Sequence, residues 1–205
     1  MNLFLRISIG LTFLAVLGGS ILCTRMFRPP KPEPREIRIP KLIAQIEKYK
    51  GMQTGYDWDG PLVAARELAA FDAKEALPVL VKFLKDGYRV PCCCGSMLDG
   101  AIIKLGGKAV ISDMLELLKS PDDIIRSAAV SILGGVGAQE AIPEITKLLS
   151  DPYSEVRGEA VYALMNLKAK ESAPAIKKLL SDPEEFMRYR AQEALKELGV
   201  PEEKK

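Results

Sequence analysis

Three prolines, Pro121, Pro152 and Pro183, stand 31 residues apart, and three arginines, Arg126, Arg157 and Arg188, repeat at the same interval. Pro143 and Pro174 share that offset, as do the triplets Leu148-Leu149-Ser150 and Leu179-Leu180-Ser181. Leu117-Leu118 takes the corresponding place one period earlier. Independent marks agreeing on one interval define a structural repeat, and a period of roughly 20–50 residues means stacked supersecondary units. In the unit from Pro152 to Asp182, Val156, Ala160, Ala163, Leu164 and Leu167 recur at helical spacing. Asp151 is expected to cap this first helix, with Pro152 in the opening turn, where a missing N–H costs nothing. After a turn through Lys168 to Lys170, a second helix starts near Glu171, carries Pro174 in its first turn and buries Ile176, Leu179 and Leu180. One such pair cannot cover its own apolar stripe; stacking its neighbours does.

The plan extends backwards less regularly. Aligning Pro78 with Pro143 places Ala64 on Ala129 and Leu68 on Leu133, an offset of 65, which is two periods plus three. The three extra residues fall near Gly87 to Cys92. The intervening unit begins at Val90 and contains Leu98, Ile102, Leu105, Val110, Met114, Leu117 and Leu118. At the other end Pro183 to Leu198 is a first helix, closed by Gly199-Val200-Pro201. The expectation is an all-α array of four full repeats and a terminal helix. Composition agrees: 48% of residues are apolar but only 6% aromatic, and small or straight-chain side chains suit close-packed helices better than sheets.

The 29 basic and 27 acidic residues leave a net charge of +2, which offers no concentrated basic face for nucleic acid. Histidine is absent, removing the commonest general base and metal ligand. No glycine-rich phosphate loop or nucleophile–base pairing is present, since Gly134-Gly135-Val136-Gly137 lies where the other units also turn. The chain is therefore read as non-catalytic, with no cofactor, no metal and no small-molecule substrate.

The N-terminus reads as an address. Ile7 to Cys23 is an apolar run of 17 residues without a charge, preceded by Arg6 and followed by Arg25, Arg28 and Lys31. That length fits both a short membrane anchor and a long signal-peptide core. Residues 1–27 are accordingly expected to be a signal peptide or single-pass anchor, placing the protein in a membrane or the cell envelope with sidedness open. Residues 28–40 hold five prolines and read as an extended linker. Residues 41–205 form the repeat domain, beginning with Leu42, Ile43 and Ile46 on one helical face.

The segment D-P-Y-S-E-V-R-G-E-A-V-Y-A-L from Asp151 to Leu164 resembles the phycobilisome-lyase-like HEAT repeat, and so does S-P-D-D-I-I-R-S-A-A-V-S-I-L from Ser120 to Leu133. The resemblance covers roughly Gly60 to Leu198. It implies a right-handed α-solenoid that serves as a protein-binding scaffold, with the second helices lining the concave side. Some relatives attach bilins to phycobiliproteins, but the repeat is shared with many non-enzymes, so that activity does not follow for this chain.

Arg126, Arg157 and Arg188 sit early in first helices near Asp122, Asp151 and Asp182, where Arg–Asp pairs would bolt repeats together as a structural ladder. Cys92, Cys93 and Cys94 point about 100° apart on a helix and cannot all face one ion. Shifting by 31 puts Cys94 on the core positions Ile125 and Val156, which favours packing; a redox role and a covalent cofactor role stay open. Tyr56-Asp57-Trp58-Asp59 is read as a cover for the open end of the array, with a recognition loop as the alternative.

Taking Ile142, Ile145, Leu148 and Leu149 as core leaves Glu144, Thr146 and Lys147 facing outward from a second helix. The matching positions are Val79, Val81 and Lys82; Asp113, Leu115 and Glu116; and Ala175, Lys177 and Lys178. With helices about 10 Å apart, four of them make a trough on the order of 40 Å long. The expectation is a floor that is apolar at Val79, Val81 and Leu115 and basic at Lys147, Lys177 and Lys178, suited to an amphipathic or acidic segment of a protein partner. The competing reading is an accessory subunit of a bilin-lyase-like enzyme acting near Cys92–Cys94.

Overall fold

The computed structural model describes residues 33–49, 59–86 and 95–200. The chain divides into two compact units, Met1–Pro34 and Arg35–Lys205, and the description below concerns the second. It contains ten α-helices among the described residues: α1 Arg35–Lys48, α2 Asp59–Ala70, α3 Leu77–Lys85, α4 Gly95–Gly106, α5 Ile111–Leu117, α6 Asp123–Gly135, α7 Ile142–Lys147, α8 Ser154–Asn166, α9 Ala173–Lys178 and α10 Glu185–Glu197. Short 3-10 turns, such as Leu148–Ser150 after α7 and Leu179–Ser181 after α9, extend the second helices.

First helices α2, α4, α6, α8 and α10 pack each on the next, and every second helix packs on the first helix that follows it. This is the stacking that the repeat demands. Val156, Ala160, Ala163, Leu164 and Leu167 are all buried, as are Ile176 and Leu179. α1 covers α2 and α3 with Ile39, Leu42 and Ile46, three residues spaced to share one face. It begins at Arg35, so the last six residues of the expected linker are helical, with Pro40 inside the helix at the loss of one backbone hydrogen bond. Arg38 holds α1 to α2 by a two-pronged pair with Glu67, at 2.9 and 2.7 Å, and that hydrogen bond holds the Glu67 carboxyl below its ordinary range.

The turn that closes a first helix is one device used four times. Asp72, Gly137, Lys168 and Gly199 all have positive φ, and the next residue's N–H reaches back five residues to close the helix: Ala73 to Leu68, Ala138 to Leu133, Ala169 to Leu164 and Val200 to Leu195. Glycine adopts this backbone freely; Asp72 and Lys168 do so at about 1–2 kcal/mol each. The second unit departs, with its left-handed residue at Gly107.

One helix start differs from expectation. α8 begins at Ser154, so Asp151 and Pro152 precede it; α6 begins at Asp123 with Asp122 as its cap. The Asp151 carboxylate accepts from the Tyr153 N–H but also has a longer-range partner, described below. Close approach of α6 and α8 depends on Gly134, where an added Cβ would lie 2.8 Å from the Ala163 Cβ and 2.9 Å from its Cα. Gly134→Ala is expected to force the two helices apart. The overpacking of about 1–3 kcal/mol exceeds the gain of up to about 1 kcal/mol in helix propensity, so a lower urea midpoint is the expected outcome.

The expected placement in a membrane or the cell envelope is corrected. Among the described residues no helix is long and apolar enough to cross a membrane. The longest, α1, has 14 residues against the roughly 20 that a bilayer core requires, and it carries Glu36, Arg38, Lys41 and Glu47. The apolar run Ile7–Cys23 lies outside the described residues, as do Cys92–Cys94 and Tyr56–Trp58.

Candidate functional site

The second helices bring the proposed binding residues into three rows. The outermost row is Lys82, Glu116, Lys147 and Lys178, and all four are exposed. The next row is Val79, Asp113, Glu144 and Ala175. Here Asp113 accepts from Lys85 across the α3–α5 boundary at 2.7 Å, and that bond raises the Lys85 ammonium above its usual value. Glu144 accepts from Lys147 at 2.6 Å, which lowers the Glu144 carboxyl, with the more distant Lys119 adding to the effect. Both pairs are solvated and contribute little to stability.

The third row is Val81, Leu115, Thr146 and Lys177, and it is a seam rather than a floor. Val81 is only 8% exposed, and Val79 and Leu115 are half-buried against the core. Thr146 shares a 2.7 Å hydrogen bond with Ser172, joining α7 to the turn before α9. Of the three apolar residues expected on the floor of the N-terminal half, Val81 is thus buried between helices, while Val79 and Leu115 keep part of their surface open. At the C-terminal half the cations stand outward, with Lys147 and Lys178 exposed and Lys177 half-buried.

The arginines sit as a repeated fixture. Nη1 of Arg126 donates to the carbonyls of Ser120 and Pro121; Arg157 does the same to Asp151 and Pro152, and Arg188 to Asp182 and Pro183. The other edge of the guanidinium takes a carboxylate from the end of the following second helix. Arg126 grips Asp151 with Nε and Nη2, both at 2.9 Å, and the ring of Tyr153 lies 5.7 Å from the guanidinium carbon. Arg126 and Asp151 are both buried, and the Asp151 hydrogen bond raises the guanidinium further above its usual value. Arg157 pairs with Asp182 less squarely: Nη2 donates at 3.1 Å, while Nε lies 3.0 Å from the second oxygen but off the hydrogen-bonding axis. No carboxylate among the described residues takes this place at Arg188.

One buried acid escaped sequence reasoning. Asp99 on α4 occupies the position of Val130 and Val161, 31 and 62 residues on, and is buried as they are. Burial pushes its carboxyl up to about 7; a hydrogen bond from Ser131 opposes that and the Glu159 charge adds to it. Glu159 is itself raised by burial, with Arg190 opposing. The signal was available as an aspartate in an apolar register, in the unit whose alignment was least regular.

Residues 111–196 match the family model for HEAT repeats. No curated protein sequence matches the chain. Among solved structures, the chain is similar to the complex of CpcE and CpcF of phycocyanin lyase from Nostoc sp. PCC7120, with 21% identity over 85% of this chain and 70% of that one and a TM-score of 0.58. It also aligns with an engineered protein at 22% identity over 78% of each chain, TM-score 0.47, and with a designed armadillo repeat protein at 18% identity over 78% of this chain and 99% of that one, TM-score 0.39. With helix pairs stacked at a 31-residue period and the repeat model spanning the regular ones, residues 111–196 are built of HEAT repeats.

Proposed function

We propose that the chain is a non-catalytic scaffold that binds an acidic segment of a protein partner along its second-helix face. The observation that carries this reading is the outward row of Lys82, Lys147 and Lys178, interrupted by Glu116 alone. Lys177 flanks the row at its C-terminal end. Such a row supplies long-range attraction and orientation more than raw affinity. The concave placement of that face and the right-handed course of the array belong to the same proposal. A second reading, an accessory subunit of a bilin-lyase-like enzyme, is favoured only by the shared fold with the phycocyanin lyase complex, and a fold does not carry a function.

Charge reversal at both Lys177→Glu and Lys178→Glu tests the leading reading. Captured proteins compared side by side are expected to fall at least roughly tenfold for the double variant, as removal of two cations from an electrostatic contact requires. An unchanged set at equal abundance would exclude this face.

A further inference from the structure

α1 is a second helix with an altered face. Its Pro40 takes the place of Pro78, Pro143 and Pro174, and Leu42, two residues on, is buried like Leu80, Ile145 and Ile176. The helices differ upstream of the proline. α3, α7 and α9 each begin one residue before theirs, whereas α1 begins five residues before, at Arg35. α1 therefore carries an additional turn, with Glu36 on it. They differ downstream as well. Four residues after the proline the others have Lys82, Lys147 or Lys178, and α1 has Ala44.

With no lysine arm at Ala44, a groove of about 400 Å³ runs along α1 beside the turn Lys74–Ala76. Its floor is apolar, with Pro40 and Ala44 exposed and Ile43 half-buried. Its rim is acidic. Glu36 and Glu47 stand at the two ends of the α1 wall and Glu75 on the opposite wall, all three exposed. None of them has an ion pair or a hydrogen bond among the described residues. Glu67 on α2, by contrast, is taken by Arg38. Arg35, the cation of the lining, donates to the Asp72 carbonyl at 3.4 Å. Glu75 recurs as Glu140 and Glu171 in later turns, so it is the α1 wall that sets this groove apart.

We propose that this groove binds a short basic segment of a partner protein, whose apolar side chains lie over Pro40, Ile43 and Ala44 between flanking lysines or arginines. The charge pattern selects the partner: three carboxylates around an apolar floor attract cations and turn away an acidic segment. The length of the wall sets the spacing. Glu36 and Glu47 are 11 residues apart on α1, about 16 Å along the helix axis. An extended chain covers that distance in about five residue steps. Two apolar residues between two pairs of cations therefore match both the floor and the rim. The groove is opposite in charge to the Lys147 and Lys178 end of the second-helix row, and neither proposal depends on the other.

The probe is the peptide acetyl-Arg-Lys-Leu-Leu-Lys-Arg-amide, titrated into the full chain and followed by NMR of the backbone amides. Saturable shifts centred on Ile43, Ala44 and Glu75 are expected. Replacing both leucines of the peptide by serine should weaken binding roughly tenfold or more. Glu36→Gln, Glu47→Gln and Glu75→Gln together, all at exposed positions, should also weaken it roughly tenfold. Ala44→Lys puts into the groove the side chain that α3, α7 and α9 carry at that place, so the fold accepts it and binding should be lost. Far-UV circular dichroism of both variants is expected to match that of the native chain. The proposal is overturned by equal affinity of the triple variant or of Ala44→Lys. Shifts centred on Glu116 and Glu144 would overturn it too, since the peptide would then be binding acids anywhere. So would movement of the amides of residues 1–32 in Ala44→Lys without peptide, which would make the chain's own N-terminal segment the occupant. Self-association of the native chain that Ala44→Lys abolishes in sedimentation would assign the groove to a second copy instead.

Discussion

Asp151→Ala is expected to lower the free energy of unfolding by about 3–5 kcal/mol, the usual effect of stripping one partner from a buried ion pair. Arg126 would keep its charge in a site where it is almost wholly covered, with two of its nitrogens facing nothing. The Tyr153 N–H, which donates to the same carboxylate, would lose its acceptor as well. Asp122→Ala is the internal comparison, since Asp122 only caps the Ile124 N–H and its loss is worth about 1 kcal/mol. Urea melts of both variants check the difference. Equal midpoints would mean that the ladder does not bolt the repeats. Replacing Arg126 by methionine in the Asp151→Ala background should recover part of the loss, because the stranded charge is the larger part of the cost. The pair gives up considerable desolvation energy when formed, so its worth lies in fixing the distance between the first helix and the end of the second, not in net stability.

Asp99→Asn is expected to be neutral in acid and stabilising in base. The carboxyl stands near 3.8 in the unfolded chain and at about 7 in the folded one. Below pH 4 both states hold the proton. Between about pH 4 and 7 the unfolded chain has released it and the folded chain keeps it, so the folded state binds more protons and unfolding free energy falls as pH rises. Above about pH 7 the loss is complete, at about 4 kcal/mol. Asparagine does not titrate, so its advantage over the native residue should grow by about 3 kcal/mol between pH 5 and pH 8. Urea midpoints of both proteins at the two pH values measure it, and a constant difference would place the carboxyl in a wetter site. The neighbouring Glu159 raises the same question less sharply, since Arg190 offsets part of its burial.

Much of the array is legible before any folding. Pro143 and Pro174 sit in the first turns of α7 and α9, where the missing N–H of proline costs nothing. Gly137 and Gly199 stand at left-handed turns, and the 31-residue offset locates Lys168 at the third such turn although lysine does not announce it. The errors share one cause. Asp151 looked like the local cap of α8, but its carboxylate faces Arg126, 25 residues back. Leu180 looked like core because Leu149 is core, yet among the described residues it stands exposed. Val81 looked like surface because its helical face is ambiguous in so short a helix, and the adjoining repeat decided it.

The sequence by itself determined the helix pairs, their turns and the apolar stripe of each, because these follow from side-chain periodicity and the backbone limits of proline and glycine within a few residues. Only the tertiary structure decided which carboxylates fill the arginine edges and that Asp99 lies buried among valine positions. Each of those depends on a neighbour about one repeat away. Stacking brings that neighbour into contact, and its burial and charge are set by what it touches there.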